Sequence, residues 1–374
     1  MANTIIITSI KKFNSEKKAA AAALASPGEM IAARRDDNRE VIKICGLDST
    51  STIGWRCVLA FLDSTERMCG SLVCVAFLRG TNALPRDATF EAHHFRGCGS
   101  RAHSLERLTR LHDRFGPALC SVSVNLSQVL CGMPDSQKGT MLIELTACTR
   151  ITRLNLHLSH LAALPASIGA LVRLQSLSLA SNVLTALPDS IVALTALKNL
   201  NLEVNELTAL SLEPIGALVG LEKLNLSNNQ LTELPDSIGA LTALKLLELG
   251  RNKLTALPAS TGALVGLEKL NLDHNQLTTL PGSIGALVGL EKLHLFSNKL
   301  TTLPVSIGSL LSLKKLDLGR NKLTTLPDAI GALVGLKELN LAHNHYLASP
   351  QSAAVEAWHI ALKARGARVK WQYH

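Results

Sequence analysis

Eight asparagines, Asn182, Asn205, Asn229, Asn252, Asn275, Asn298, Asn321 and Asn344, recur every 23 residues with one 24-residue step, the first seven inside a frame that reads LxxLxLxxNxL and the last inside LxxLxLxxN. A fixed period of this length restricts the chain to architectures in which one small supersecondary unit stacks on copies of itself. Stacks of that kind present a long curved surface to another macromolecule, so the pattern directs attention to a partner before a reaction.

The unit Leu267 to Pro281 shows why the frame folds as it does. Leu270 and Leu272 alternate with Lys269, Asn271 and Asp273, a period of two that predicts a short strand with leucines inward and polar residues outward. One such strand cannot bury its own leucines. Copies about 4.8 Å apart bury them against each other as a parallel sheet. Asn275 falls where the chain leaves the strand, and its amide suits the backbone groups that the turn leaves unpaired. Pro281 then fixes φ, and the apolar spacing of Ser283 to Leu290 predicts a helical turn on the outer face.

This register gives nine units, the first on Leu154 and Leu156 with Ser159 in place of Asn, the last on Leu339 and Leu341. The expected class is α/β, a solenoid with its parallel sheet on the concave face. The domains read as a mobile segment over 1–40, a cysteine-containing flank of unassigned fold over 41–150, the array over 151–347 and a C-terminal cap over 348–374. For that cap, Ser349, Pro350, Val355, Trp358 and Leu362 up to Gly366 predict an amphipathic helix with Pro at its first position, and Arg368 to Trp371 an edge strand. Trp358 and Trp371 are expected to pack over the last leucines.

The LTxLPxSIGAL run, as in Leu231 to Leu241, resembles the 23-residue leucine-rich repeats of the Ras-associated scaffolds and the plant intracellular Ras-group proteins. The resemblance covers residues 151 to about 347. It implies a cytoplasmic, non-enzymatic adaptor in signalling that binds a small GTPase, phosphatase or kinase through its concave sheet, without a cofactor. Bacterial repeat proteins with a flanking ubiquitin-ligase domain imply the alternative, in which residues 1–150 supply a cysteine-dependent activity and the array selects substrate.

All eight cysteines, Cys45, Cys57, Cys69, Cys74, Cys98, Cys120, Cys131 and Cys148, precede the array. Thr4 to Ile10 followed by Lys11 and Lys12 is the wrong order for a secretory signal, which favours reduced thiols. The sequons at Asn125 and Asn225 do not change this, since the second falls in a repeat strand. No run approaches the roughly 20 apolar residues of a membrane helix. Cys69, Cys74, His93, His94 and Cys98 are ligands of the right chemistry at spacings that fit no strong zinc pattern, so no metal is expected. HExxH, GxSxG, Walker A and GxGxxG motifs are all missing. In the flank, Ser15 to Ala25 predicts a helix ended by Ser26, Pro27 and Gly28, and Arg34 to Asp37 a solvated linker. Leu105, Leu108, Leu111 and Phe115 share one helical face.

Net charge is +9, but within the array it is polarised: residues 201–250 hold 7 acids against 2 bases, and residues 251–374 hold 14 bases against 7 acids. Lys223, Lys269, Lys292 and Lys315 repeat at one outward position, either as duplicated solubilising charge or as a ladder for a partner. Nucleic acid is not expected, since only Phe296 interleaves that ladder with an aromatic ring. Near-identical units offer little specificity, which is therefore expected where outward residues differ: Glu203, Glu248, Arg251, Asp273, His274, His294, Phe296, Asp317, Arg320 and His343. Phe296 is the foremost of these, an aromatic on a small, polar face that reads as an interface anchor or as an isolated exposed ring. The extra residue at Ser211, Leu212, Glu213 and Pro214 is either a partner-specific bulge or a tolerated slip. A monomer is expected.

Overall fold

The structure is a computed structural model that describes residues 29–36, 39–46, 60–62, 71–73, 87–90, 121–126, 130, 134–146, 149–208, 213–347 and 352–370. The chain divides into two compact units, Met1–Leu154 and Asn155–His374.

In the first unit β1 (Glu29–Asp36) pairs antiparallel with β2 (Arg39–Gly46), and β3 (Ala60–Leu62) pairs antiparallel with β4 (Ser71–Val73). Next, β5 (Asp87–Phe90) runs parallel to β6 (Ser121–Asn125). The helix α1 (Asp135–Leu145) buries Met141, Leu142 and Leu145, and β7 (Ile151–Asn155) straddles the division. Arg34, Arg35 and Asp36 belong to β1 and not to a linker. Their Cα partners on β2 are Val41, Glu40 and Arg39, in a register that runs without a break from Glu29 opposite Gly46, so the backbone of this segment is paired along its length. The helices expected at 15–25 and 105–115, His93, His94 and every cysteine except Cys45 lie outside the described residues.

The second unit carries the strands β8 (Ser176–Ser178), β9 (Asn199–Asn201), β10 (Lys223–Asn225), β11 (Leu246–Glu248), β12 (Lys269–Asn271), β13 (Lys292–His294), β14 (Lys315–Asp317), β15 (Glu338–Asn340) and β16 (Arg368–Lys370). They pair in chain order as one curved, open, parallel sheet, which is the α/β leucine-rich repeat solenoid. From β8 to β15 the middle residue of each strand is a buried leucine. The column from Leu177 to Leu339 and the one from Leu179 to Leu341 are at most 2% exposed, which is the burial that a lone strand lacks.

Each repeated asparagine ties two units together. The Asn275 amide nitrogen donates to Leu249 O of the preceding unit (2.9 Å) and to Leu272 O of its own (3.0 Å), while its oxygen accepts from Leu254 N (3.0 Å). Asn182, Asn205, Asn229, Asn252, Asn298 and Asn321 repeat this pattern. Reaching those groups requires a sharp turn immediately before the amide. The preceding residue is accordingly left-handed in all eight units, Ser181, Val204, Asn228, Arg251, His274, Ser297, Arg320 and His343, with φ between 54° and 60°.

The returns are five-residue 3-10 turns, such as Gly282–Ala286 after an extended Pro281, in place of the helical turn expected from Ser283 to Leu290. Ile284 N donates to Pro281 O and Leu287 N to Ile284 O, a pattern that closes within three residues and suits a segment too short to sustain α-helix. These returns stack closely, as where a glycine of one lies against a serine of the next. A Cβ on Gly262 would lie 2.6 Å from Ser283 O of the next unit.

At the irregular unit the 3-10 turn becomes a single α-helical turn, α2 (Glu213–Gly216). Ile215 is again buried, Gly216 again lies against Ser237, and the stack resumes in register at β10. Ser211 and Leu212 lie outside the described residues. The cap α3 (Ala353–Ala364) starts later than expected, with Ser352 as its N-cap accepting from Val355 N; Ser349 and Pro350 lie outside the described residues. Val355, Trp358 and Leu362 are buried, and the Trp358 indole nitrogen donates to Leu333 O. Gly366, at φ 79°, turns the chain into β16, which pairs with β15. Trp371 lies outside the described residues.

Candidate partner-binding face

In-register stacking sorts the outward residues into rows. One row runs Lys223, Leu246, Lys269, Lys292, Lys315 and Glu338; the next runs Asn225, Glu248, Asn271, His294, Asp317 and Asn340. Two of the ladder lysines are neutralised within the array, Lys269 by Glu248 (2.6 Å) and Lys315 by Glu338 (3.2 Å). Lys315 in turn holds the Glu338 carboxyl below its ordinary range. Glu203 is likewise engaged, accepting from Asn225 Nδ2 at 3.1 Å. Of the ten residues singled out in the sequence, Glu203 and Glu248 therefore bridge neighbouring units, and Arg251 stands exposed beside them.

Five others come together between β12 and β14. Asp273 Oδ1 accepts from Phe296 N at 2.7 Å, and its other oxygen lies 3.6 Å from His294 Nδ1. The Phe296 ring meets His274 edge-on at a centroid distance of 5.4 Å. It lies over Gly319, where an added Cβ would come within 3.0 Å of the ring and 2.6 Å of Asn340 Nδ2. Gly319 thus makes the room in which the ring lies. Asp317 accepts from Gly319 N and Asn340 Nδ2, and burial raises its carboxyl above the ordinary carboxylate value against the pull of those bonds. Phe296 is therefore packed on both sides and half-buried, in contrast to the isolated-ring reading.

Beside this cluster a groove of about 640 Å³ opens along the left-handed edge of three successive units. Phe296, Arg320 and His343 line it, together with Ser297, Lys322, His345 and Tyr346, which the sequence reading did not include. The missed signal was present in the frame. Earlier units read Asn-x-Leu, but Asn344 is followed by His345 and Tyr346; Leu323 is fully buried at that position and Tyr346 is 68% exposed. Leu347, one residue later, fills the core in its place.

Among the described residues no cluster of three or more His, Cys, Asp or Glu is placed to hold a metal ion, and no helix is long and apolar enough to cross a membrane. What the second unit offers is a rigid face with distinctive side chains on near-identical supports.

Stacked short parallel strands, buried leucine columns and an inter-unit asparagine ladder define a leucine-rich repeat array, the class of fold used for protein–protein interaction. Family models agree: residues 199–299 match a leucine-rich repeat region, and residues 288–345 match the leucine rich repeat. Among solved structures, the chain is similar to the leucine-rich repeat ectodomain of the plant membrane receptor kinase GASSHO1/SCHENGEN3 from Arabidopsis thaliana, in complex with CASPARIAN STRIP INTEGRITY FACTOR 2. That match has 29% identity over 68% of this chain and 28% of the other, with a TM-score of 0.51. A TDR receptor is similar at 24% identity over 66% of this chain and 45% of the other, with a TM-score of 0.55. The chain thus spans less than half the length of either receptor structure. No curated protein gives a significant match.

Proposed function

We propose that this protein is a non-catalytic, cytoplasmic scaffold in intracellular signalling that binds a folded protein on the concave sheet of its repeat array. The observation that carries the proposal is the gathering of five of the varied residues, Asp273, His274, His294, Phe296 and Asp317, into one packed cluster on an otherwise repetitive face. A preformed patch centred on a held aromatic ring is the form taken by energetic hot spots at interfaces. The similar receptor ectodomain, itself in complex with CASPARIAN STRIP INTEGRITY FACTOR 2, supports use of this fold for binding. The resemblance of the LTxLPxSIGAL returns to those of Ras-associated arrays supports a small GTPase, phosphatase or kinase as the partner. The sequon at Asn225 lends no support to a secretory setting, since its amide is half-buried in β10 and bonded to Glu203 and Ser227 N.

The test is capture of partners from cell lysate by the full chain and by a His294→Ala, Phe296→Ala variant, with circular dichroism confirming that both are folded. Recovery of one saturable protein partner by the parent, and its loss from the variant, is the expected result. Equal recovery by both would reject the concave cluster as the binding surface.

A further inference from the structure

The groove beside the cluster combines two cations with two aromatic rings; Arg251 and Lys253 flank Asn252 in the same way, but there Ser227 and the buried Leu277 stand in place of Phe296 and Tyr346. Arg320 and Lys322 protrude into it on consecutive outward positions flanking Asn321, with His343 on the next unit. Elsewhere on the array Lys198, Lys269, Lys314 and Lys315 each have a carboxylate partner in a neighbouring unit. Arg320 and Lys322 have none among the described residues, and no acidic side chain lines the groove. Phe296 and Tyr346 supply its apolar surface, Tyr346 68% exposed at a position where earlier units bury leucine.

We infer that this groove seats a short acidic segment of a partner protein in extended conformation, its carboxylates on Arg320 and Lys322 and an apolar side chain against Phe296 and Tyr346. The inference rests on the reading of this face as protein-binding and names the chemistry of the bound element. Guanidinium and ammonium groups left without counter-ions gain charge-assisted hydrogen bonds when carboxylates arrive. The dimensions agree. The groove crosses three units, about 10 Å of sheet at roughly 4.8 Å per strand, which matches three or four extended residues. Its volume of about 640 Å³ is in the range of sites that enclose a small ligand.

A nucleic acid fits less well. Its phosphates need a basic track longer than three units. Toward its N-terminal end the array is acidic, with 7 acids against 2 bases over residues 201–250. Those charges repel a polyanion that continues past the groove, while a segment only a few residues long stops short of them.

The experiment is fluorescence anisotropy on the full chain with a labelled pentapeptide of glutamates and aspartates around one central phenylalanine. Controls are the same peptide with lysine for every acid, the same peptide with glycine for phenylalanine, and labelled oligothymidine. Saturable binding of the acidic peptide is expected, weakened at least tenfold by Arg320→Glu with Lys322→Glu, and weakened severalfold by Tyr346→Ala or by loss of the phenylalanine. Raising salt from about 50 to about 500 mM should weaken it about tenfold as the Debye length shortens. The inference is overturned by absence of saturable binding at low salt, by indifference to the charge reversals, or by tighter binding of oligothymidine. It is also overturned if sedimentation shows self-association that the charge reversals abolish, which would make a second copy the occupant. Loss of lysate capture on Phe296→Ala without acidic-peptide binding would leave the scaffold function standing and remove only this inference.

Discussion

Replacing Asn275 by alanine tests what holds consecutive units together. Its side chain is buried and makes two bonds to the preceding unit, donating to Leu249 O (2.9 Å) and accepting from Leu254 N (3.0 Å), besides donations to Leu272 O (3.0 Å) and Asp273 O (3.3 Å) within its own. These groups are not equivalent: Asp273 O holds the longest bond, accepts also from Arg251 N at 2.8 Å, and loses least. Leu249 O also accepts from Asn252 Nδ2, and Leu272 O from Asn298 Nδ2, so each carbonyl keeps a partner and loses about 0.5–1.5 kcal/mol for one bond. Leu254 N–H is left orphaned in the core, at about 1–3 kcal/mol. The substitution should therefore cost about 2–6 kcal/mol, concentrated at the interface between two units, since contacts in the stack run between neighbours. Urea unfolding followed by far-UV circular dichroism, with hydrogen exchange at Leu254, measures both quantities. The matched control is Asn271→Ala. Asn271 lies four residues away in the same unit, is half-exposed, and accepts a single bond from Asp273 N, so its loss should cost about 1 kcal/mol or less. If Asn275→Ala falls within about 0.5 kcal/mol of Asn271→Ala, or Leu254 keeps its protection, the ladder is not what joins the units.

Val204 is β-branched at φ 54°, where the equivalent residue of the next unit is Asn228; Val204→Asn should raise stability by about 0.5–1 kcal/mol in the same urea titration, and a loss would show that Val204 contributes packing despite its exposure. Burial raises the Asp317 carboxyl above its ordinary value of 3.8, so the folded chain binds more protons than the unfolded chain just above that pH, and stability falls as pH rises through this window. Asp317→Asn retains an acceptor for Gly319 N and should flatten that fall in melts taken at a series of pH values; an unchanged slope would refute the assignment. Trp358→Ala uncovers the last return and should cost about 3–5 kcal/mol, read as early loss of hydrogen-exchange protection at Leu333 and Leu336, whereas unchanged protection there would deny α3 its capping role.

The period of the asparagines determined the core and the sheet direction, because a strand alternating at Leu270 and Leu272 has only its own copies to pack against. The sequence also placed the asparagine at a backbone-bonding turn and Trp358 over the open end of the stack. It did not reveal which outward residues were free. Glu203 and Glu248 look like recognition residues in a linear reading, yet stacking brings the Asn225 amide to bond the first and Lys269 to neutralise the second. The form of the return was also decided in three dimensions. Glycines such as Gly262 let adjoining turns approach too closely for a wider helix, a constraint invisible within a single unit. The groove shows the same division most clearly. Phe296 and Tyr346 are fifty residues apart in the chain, and no local pattern joins them. Stacking in register brings three units' edges together, and the left-handed residue before each asparagine sets those edges, so Arg320 and His343 meet Phe296 only in the assembled solenoid.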